Sequence, residues 1–221
     1  MTSDKNTQKG LYIKNFGCQM NVYDGDRMQE MMSSHNYDSV NSVEDADLVI
    51  LNTCHIREKA TEKIYSELGR IKKNISGKKE KTIVAVAGCV AQAEGEELVK
   101  RAPIIDLVFG PLTYHHLPDI LQSFENDNSN KKKAIVDIEP PNEDKFTELP
   151  KRLKKNRVIS AFLSVQEGCD KFCTFCVVPY TRGVETSRSF LEIKDEANQL
   201  LSTGVQEIIL LGQNVNCLLY T

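Results

Sequence analysis

An α/β fold is predicted: a parallel-sheet domain over residues 10–125, a linker over 126–158 and, over 159–221, the first βα units of an incomplete βα barrel. Three observations carry the first domain. Short runs rich in Ile, Val and Leu recur at a nearly constant interval, at 11–16, 47–53 and 82–88, each the length of a buried strand. Helical patterns fill the gaps, and strand–helix–strand units of this length imply parallel pairing with right-handed crossovers. A cysteine stands just past the end of each strand, at Cys18, Cys54 and Cys89.

The elements follow in order. After the first strand, Met20, Met28, Met31 and Met32 are expected to be packing residues of a first helix. Over 57–75, Ala60, Ile64, Leu68, Ile71 and Ile75 step by three or four and form one apolar stripe on a helix. Residues 106–109 add a further strand, and His115–His116 read as a surface pair near a helix start. From residue 125 to about 157 the composition turns to Asn, Asp, Lys and Pro, which reads as a linker holding one short edge strand at 134–138. The basic stretch 151–157 is either solvated linker or a contact for RNA phosphates. Beyond Ser160 come an apolar run, a cysteine-rich loop, a helix from Phe190 to Ser202 and a strand from Glu207 to Leu211. Ser189 followed by Glu192 forms a capping box, Gly204 fits the helix exit, and Phe190, Ile193, Ala197, Leu200 and Leu201 supply the buried face.

With 221 residues, 40% of them hydrophobic, the chain suffices for one large or two small cores. Residues 1–8 are polar and no run of about 18 apolar residues occurs, so neither a signal peptide nor a membrane span is expected and the cytoplasm is the expected location. A net charge of −3 excludes a generally basic nucleic-acid binder; RNA contact would come from local patches. Seven cysteines, an odd number, favour metal or redox use over a disulfide framework.

Cys169, Cys173 and Cys176 form a CxxxCxxC triplet. Seven cysteines shuffled at random would give this spacing in roughly half a per cent of cases. Three thiolates can hold three irons of a four-iron cluster and leave the fourth open to a substrate or cofactor. A closed zinc site needs a fourth ligand, and no second Cys pair follows Cys176, with Cys217 alone beyond it and no His after His116. Cys18, Cys54 and Cys89 lie 36 and then 35 residues apart, and at strand C-terminal ends of one parallel sheet they would converge on the edge where α/β folds bind ligands. Taken singly, each is also compatible with a buried core thiol, and Cys217 is best read as one. His55 beside Cys54 does not read as a Cys–His nucleophile, because neighbours on an extended chain face opposite ways.

Five motifs together resemble the N-terminal half of the radical S-adenosylmethionine (SAM) methylthiotransferases that thiomethylate tRNA. They are Gly17-Cys18-Gln19-Met20-Asn21, Asn52-Thr53-Cys54-His55-Ile56-Arg57-Glu58-Lys59-Ala60, Ala87-Gly88-Cys89-Val90-Ala91-Gln92, Gln166-Glu167-Gly168-Cys169 through Pro179-Tyr180-Thr181-Arg182-Gly183, and Leu211-Gly212-Gln213-Asn214-Val215-Asn216. The form Thr53-Cys54-His55-Ile56-Arg57-Glu58 resembles the branch acting on isopentenylated adenosine beside the anticodon. Relatives acting on other adenosines or on a ribosomal protein usually differ there.

The resemblance implies two [4Fe–4S] clusters, one radical-SAM cluster on Cys169, Cys173 and Cys176 that also binds SAM, and one auxiliary cluster on Cys18, Cys54 and Cys89 that carries the sulfur to be inserted. It further implies transfer of a methylthio group to the adenine C2 position of a tRNA substrate. An electron-donor protein of flavodoxin or ferredoxin type and a sulfur donor are implied as partners of a monomer. The alternatives are a non-catalytic iron–sulfur or RNA-binding remnant, or action on a ribosomal protein. The chain departs from the family twice. Val184 stands where an arginine is common, leaving Arg182, Glu185 and Arg188 without assigned roles. Only some 60 residues follow Ser160 where a full barrel domain takes roughly 250, which reads as a truncated chain.

Overall fold

The computed structural model describes residues 8–55, 59–78, 81–127, 133–141, 145–152, 159–213 and 215. Its centre is a six-stranded sheet built from β1 (Lys9–Phe16), β2 (Tyr37–Ser39), β3 (Leu48–Thr53), β4 (Ile83–Gly88), β5 (Leu107–Phe109) and β6 (Ile135–Asp137). The order is β2-β1-β3-β4-β5-β6, and every neighbouring pair runs parallel. Every residue of β3 and β4 is buried, as expected of central strands covered on both faces.

Alternation along the strands divides the core into two layers. Leu48, Ile50, Ala85 and Phe109 face one side, where α1 (Gln19–Ser33) and α5 (Leu117–Asn126) pack through Met28, Met32, Leu117 and Leu121. Val49, Leu51, Val84 and Val86 face the other, against Ile64, Leu68 and Ile71 of α2 (Lys59–Ile75), Val90 of α3 (Cys89–Glu94) and Leu98 of α4 (Glu96–Arg101). The stripe expected on α2 is therefore the buried face, with Ile75 packed at its end; the side chain of Ala60, and Arg57 altogether, lie outside the described residues.

The second part of the chain forms the expected βαβ unit. Strands β7 (Ser160–Ser164) and β10 (Glu207–Leu211) pair in parallel and are linked through α8 (Phe190–Ser202). The capping box closes as expected, with the Glu192 amide donating to Ser189 Oγ at 3.3 Å and the Ser189 amide donating to Glu192 Oε2 at 3.1 Å. Gly204 adopts φ +97° at the helix exit. A further pair not evident in the sequence, β8 (Gln166–Glu167) with antiparallel β9 (Thr186–Ser187), closes the base of an excursion that holds the cysteine loop and the short helix α7 (Val178–Arg182).

Several expectations are corrected. The edge strand expected at 134–138 is present as β6, but the rest of the expected linker is not uniformly solvated: Lys145, opening the short helix α6 (Lys145–Glu148), is buried with the Arg152 side chain. Residues 153–158 lie outside the described residues. On α8, Ile193, Ala197 and Leu200 pack inward, but Phe190 and Leu201 are 75% and 54% exposed, because β7 and β10 offer only a narrow face to the helix. His115 and His116 are half-buried in a one-turn segment leading into α5, and His116 Nδ1 pairs with Asp137 Oδ2 at 2.8 Å.

Helix α1 is the joint between the two parts. Met28, Met31 and Met32 pack on the six-stranded sheet, whereas Met20 and Tyr23 pack with Leu211, Phe162 and Ile209 of β7 and β10. Ten of its fifteen residues are consequently buried, including Asn21, Asp24, Arg27 and Glu30.

Candidate functional site

Sheet register brings the first cysteine set to one edge. Phe16 is aligned with Thr53, and Thr53 with Gly88, across the adjacent strands β1, β3 and β4. Cys54 and Cys89 are the next residues after Thr53 and Gly88, and Cys18 is two past Phe16. Strands about 4.8 Å apart thus deliver three thiols to a single C-terminal edge. The backbone there needs glycine. Gly17 has φ +145°, and a Cβ on it would lie 2.3 Å from Cys54 Cβ; Gly88 has φ +87°, and its Cβ would meet the Thr53 carbonyl oxygen at 2.5 Å.

Beneath the cysteines an amide network centred on the buried Asn21 and Asn52 fixes the turn positions. Asn21 Nδ2 donates to the Thr53 carbonyl at 3.2 Å and to Asn52 Oδ1 at 3.3 Å, while Asn52 Nδ2 donates to Asn15 Oδ1 and to the Asn21 carbonyl at 3.0 and 2.7 Å. The Cys54 amide donates to the Phe16 carbonyl at 2.9 Å. The Cys18 thiol lies 3.3 Å from Asn21 Oδ1. Its pKa is pulled down to about 5, first by the hydrogen bond with the Cys54 thiol and, against burial, by the Asn21 and Met20 amides of the α1 N-terminus and the charge of Arg182. Cys54 and Cys89 are buried and Cys18 half-buried.

The second set lies on the loop after β8. Cys169 and Cys176 are half-buried and Cys173 is exposed; the Cys169 amide donates to the Gly183 carbonyl at 3.2 Å and the Cys176 amide to the Cys173 carbonyl at 2.9 Å. Phe175 is 99% exposed beside Cys176. The structure thus brings Cys18 and Cys54 into contact, with Cys89 at the neighbouring strand end, and carries Cys169, Cys173 and Cys176 on one loop. Among the described residues no group of three or more His, Cys, Asp or Glu side chains is closed around a metal-ion position. The donor chemistry of each set, three soft sulfur ligands, nonetheless suits iron–sulfur binding. Cys217 lies outside the described residues.

The sequence reading missed the buried charges between the two sets. Arg182, at the end of α7, donates through Nη1 to Glu167 and through Nη2 to Asp24 Oδ2 at 2.6 Å. Lys145 Nζ donates to the Pro111 carbonyl at 2.9 Å, pairs with Glu167 and lies 3.9 Å from Asp24. All four side chains are at most 4% exposed. Burial works against the Arg182 charge, but Asp24, Cys89 and Glu167 raise its pKa well above the ordinary guanidinium value. A cavity of about 440 Å³ opens beside the quartet, and Val184 stands on its rim. A second buried chain runs Arg27–Glu30–Arg152–Glu196–Arg188, with Arg188 also donating to the Ser164 carbonyl at 2.8 Å. Glu185 contributes its backbone amide to Asp170 Oδ1 at 2.9 Å. One signal for these networks was present in the sequence: Asp24, Arg27 and Glu30 repeat at three-residue spacing on an otherwise methionine-rich helix. Nothing in the local sequence marks Lys145.

A family profile described as "Uncharacterized protein family UPF0004" matches residues 10–110. The tRNA-2-methylthio-N(6)-dimethylallyladenosine synthase of Bartonella quintana is 55% identical over 213 residues, which cover 94% of this chain and 45% of that protein. The chain belongs to this methylthiotransferase family. The synthase of the same name from Cereibacter sphaeroides is 56% identical over 206 residues, covering 93% of this chain and 46% of that protein. The chain thus spans a little under half the length of these curated relatives. Among solved structures, a radical S-adenosylmethionine methyltransferase, TsrM, from Kitasatospora setae matches with a TM-score of 0.56 at 12% identity, over 94% of this chain and 48% of that one, which is a likeness of fold. No helix among the described residues is long and apolar enough to cross a membrane.

Proposed function

We propose that this chain serves a tRNA methylthiotransferase that adds a methylthio group to C2 of N6-isopentenyladenosine beside the anticodon. The observation that carries the reading is the register of β1, β3 and β4, which gathers Cys18, Cys54 and Cys89 on one edge, while α7, from the excursion bearing Cys169, Cys173 and Cys176, packs on α3 at that edge. The names of the relatives supply the substrate.

In this reading Cys169, Cys173 and Cys176 hold one four-iron cluster and bring SAM to it, and Cys18, Cys54 and Cys89 hold a second. When bound, the two clusters supply electron transfer to SAM and the sulfur to be inserted, with electrons from a flavodoxin- or ferredoxin-like donor and replacement sulfur from a separate donor. The chain's own residues prepare the sites. The lowered pKa of Cys18 favours the thiolate that metal requires, and burial of Cys54 and Cys89 keeps water from the strand-end site. The Asn15–Asn52–Asn21 network holds together the strand ends and the helix start from which Cys18 and Cys54 project.

Anaerobic reconstitution should load about eight irons per chain, falling to about four when either cysteine set is replaced by alanine. A ceiling of about four in the parent, or zinc in place of iron, would overturn the two-cluster reading. Nucleoside mass spectrometry of tRNA from a deletion strain should show isopentenyladenosine without its methylthio group; unchanged tRNA with an altered ribosomal protein would reassign the substrate.

A further inference from the structure

The cluster reading leaves the buried quartet of Asp24, Lys145, Glu167 and Arg182 without a task, although its members come from four separate stretches of chain. Their placement is specific. Asp24 is on α1, six residues past Cys18, and Glu167 ends β8, two residues before Cys169. Arg182 closes α7, and α7 packs on α3, the helix that begins at Cys89. One guanidinium therefore ties the helix leaving the first cysteine set to the strand entering the second, and its fork is occupied by two carboxylates that fix its direction. A cation removed from water keeps a strong field over several ångströms, and Arg182 is held against α1, the helix that follows Cys18, on a helix packed against the one that begins at Cys89.

We propose that Arg182 is a positioning residue for the strand-end cysteine site, a buried cation that α7 and the carboxylates of Asp24 and Glu167 hold beside Cys18 and Cys89. The inference rests on the cluster reading of those cysteines and adds a residue that sets the electrostatics of the cluster. A positive charge beside an iron–sulfur centre favours its reduced form, so removing the charge makes the centre harder to reduce. A residue acting only as internal glue would change stability and leave the potential alone.

The test uses the full chain with Cys169, Cys173 and Cys176 replaced by alanine, so that iron and sulfide load only the strand-end set. The midpoint potential of that cluster is followed by electron paramagnetic resonance during redox titration. Arg182→Gln should move it to more negative values, and Arg182→Lys should recover most of the shift. Arg188→Gln, which breaks a buried ion pair with Glu196, should leave it in place. Asp24→Asn removes the counter-charge and should move the potential the opposite way, which keeps the inference testable should Arg182→Gln fail to fold. Potentials unchanged in both Arg182→Gln and Asp24→Asn, or in Asp24→Asn alone should Arg182→Gln fail to fold, or shifted equally by Arg188→Gln, would overturn the inference while leaving the cluster reading intact. Failure of this parent to bind iron would overturn both.

Discussion

At the scale of single residues, the strand-end site depends on groups that carry no chemistry. Gly88 immediately precedes Cys89 at φ +87°, and any side chain there would be pressed into the backbone of Thr53, whose carbonyl oxygen also accepts from Asn21. Backbone cannot yield as a flexible side chain can, so Gly88→Ala combines a disfavoured φ with a steric conflict and should destabilise the chain by about 2 kcal/mol. Urea unfolding would measure the loss, and iron loading of the Cys18–Cys54–Cys89 set should fall with it. Loading unaffected by the substitution would show that the turn geometry does not shape the site. Phe190 and Leu201 teach the reverse lesson: both match the apolar periodicity of α8, yet both are exposed, since periodicity reports which face is apolar and not how much of it is covered.

Among the elements, α1 and α8 differ in what holds them. Helix α8 is marked by its own sequence, with a Ser189–Glu192 capping box that satisfies otherwise orphaned amides at its start. Ser189→Ala should cost about 1 kcal/mol in chemical denaturation, a local effect with no change in iron content. Helix α1 has no side-chain cap, and its position comes from burial between two sheets. That double burial explains polar residues the amphipathic pattern would have placed in water: Asp24 and Arg27 lie on surfaces covered by the second part of the chain. Strand β2 escaped the sequence reading for a related reason. Three residues, two of them polar and exposed, carry no periodic signal, and their strand character comes from pairing with β1.

For the molecule as a whole, the apolar joint along α1 is accompanied by an electrostatic one. Lys145 and Arg182 face Asp24 and Glu167 out of reach of water, so the quartet is balanced and removing any one charge leaves another uncompensated. Lys145→Met should therefore destabilise the chain by about 3–5 kcal/mol, and adding Glu167→Gln to it should restore part of the loss. Denaturation of the single and double variants checks this directly. Two independent losses that simply add would show that the pair is not coupled.

The sequence by itself determined the strands and helices that repeat at periods of two and 3.6 residues, the two cysteine sets, and the family to which the chain belongs. Even the shared sheet edge of Cys18, Cys54 and Cys89 was legible, because parallel strands must end on a common edge. Only the tertiary structure decided that Arg182 meets Asp24, 158 positions away, and that a lysine in an apparent linker completes the same cluster. The physical reason lies in range. Periodicity is written into neighbouring residues, whereas the pairing of buried charges is set by which surfaces exclude water together, and that is known only once α1 lies between its two sheets.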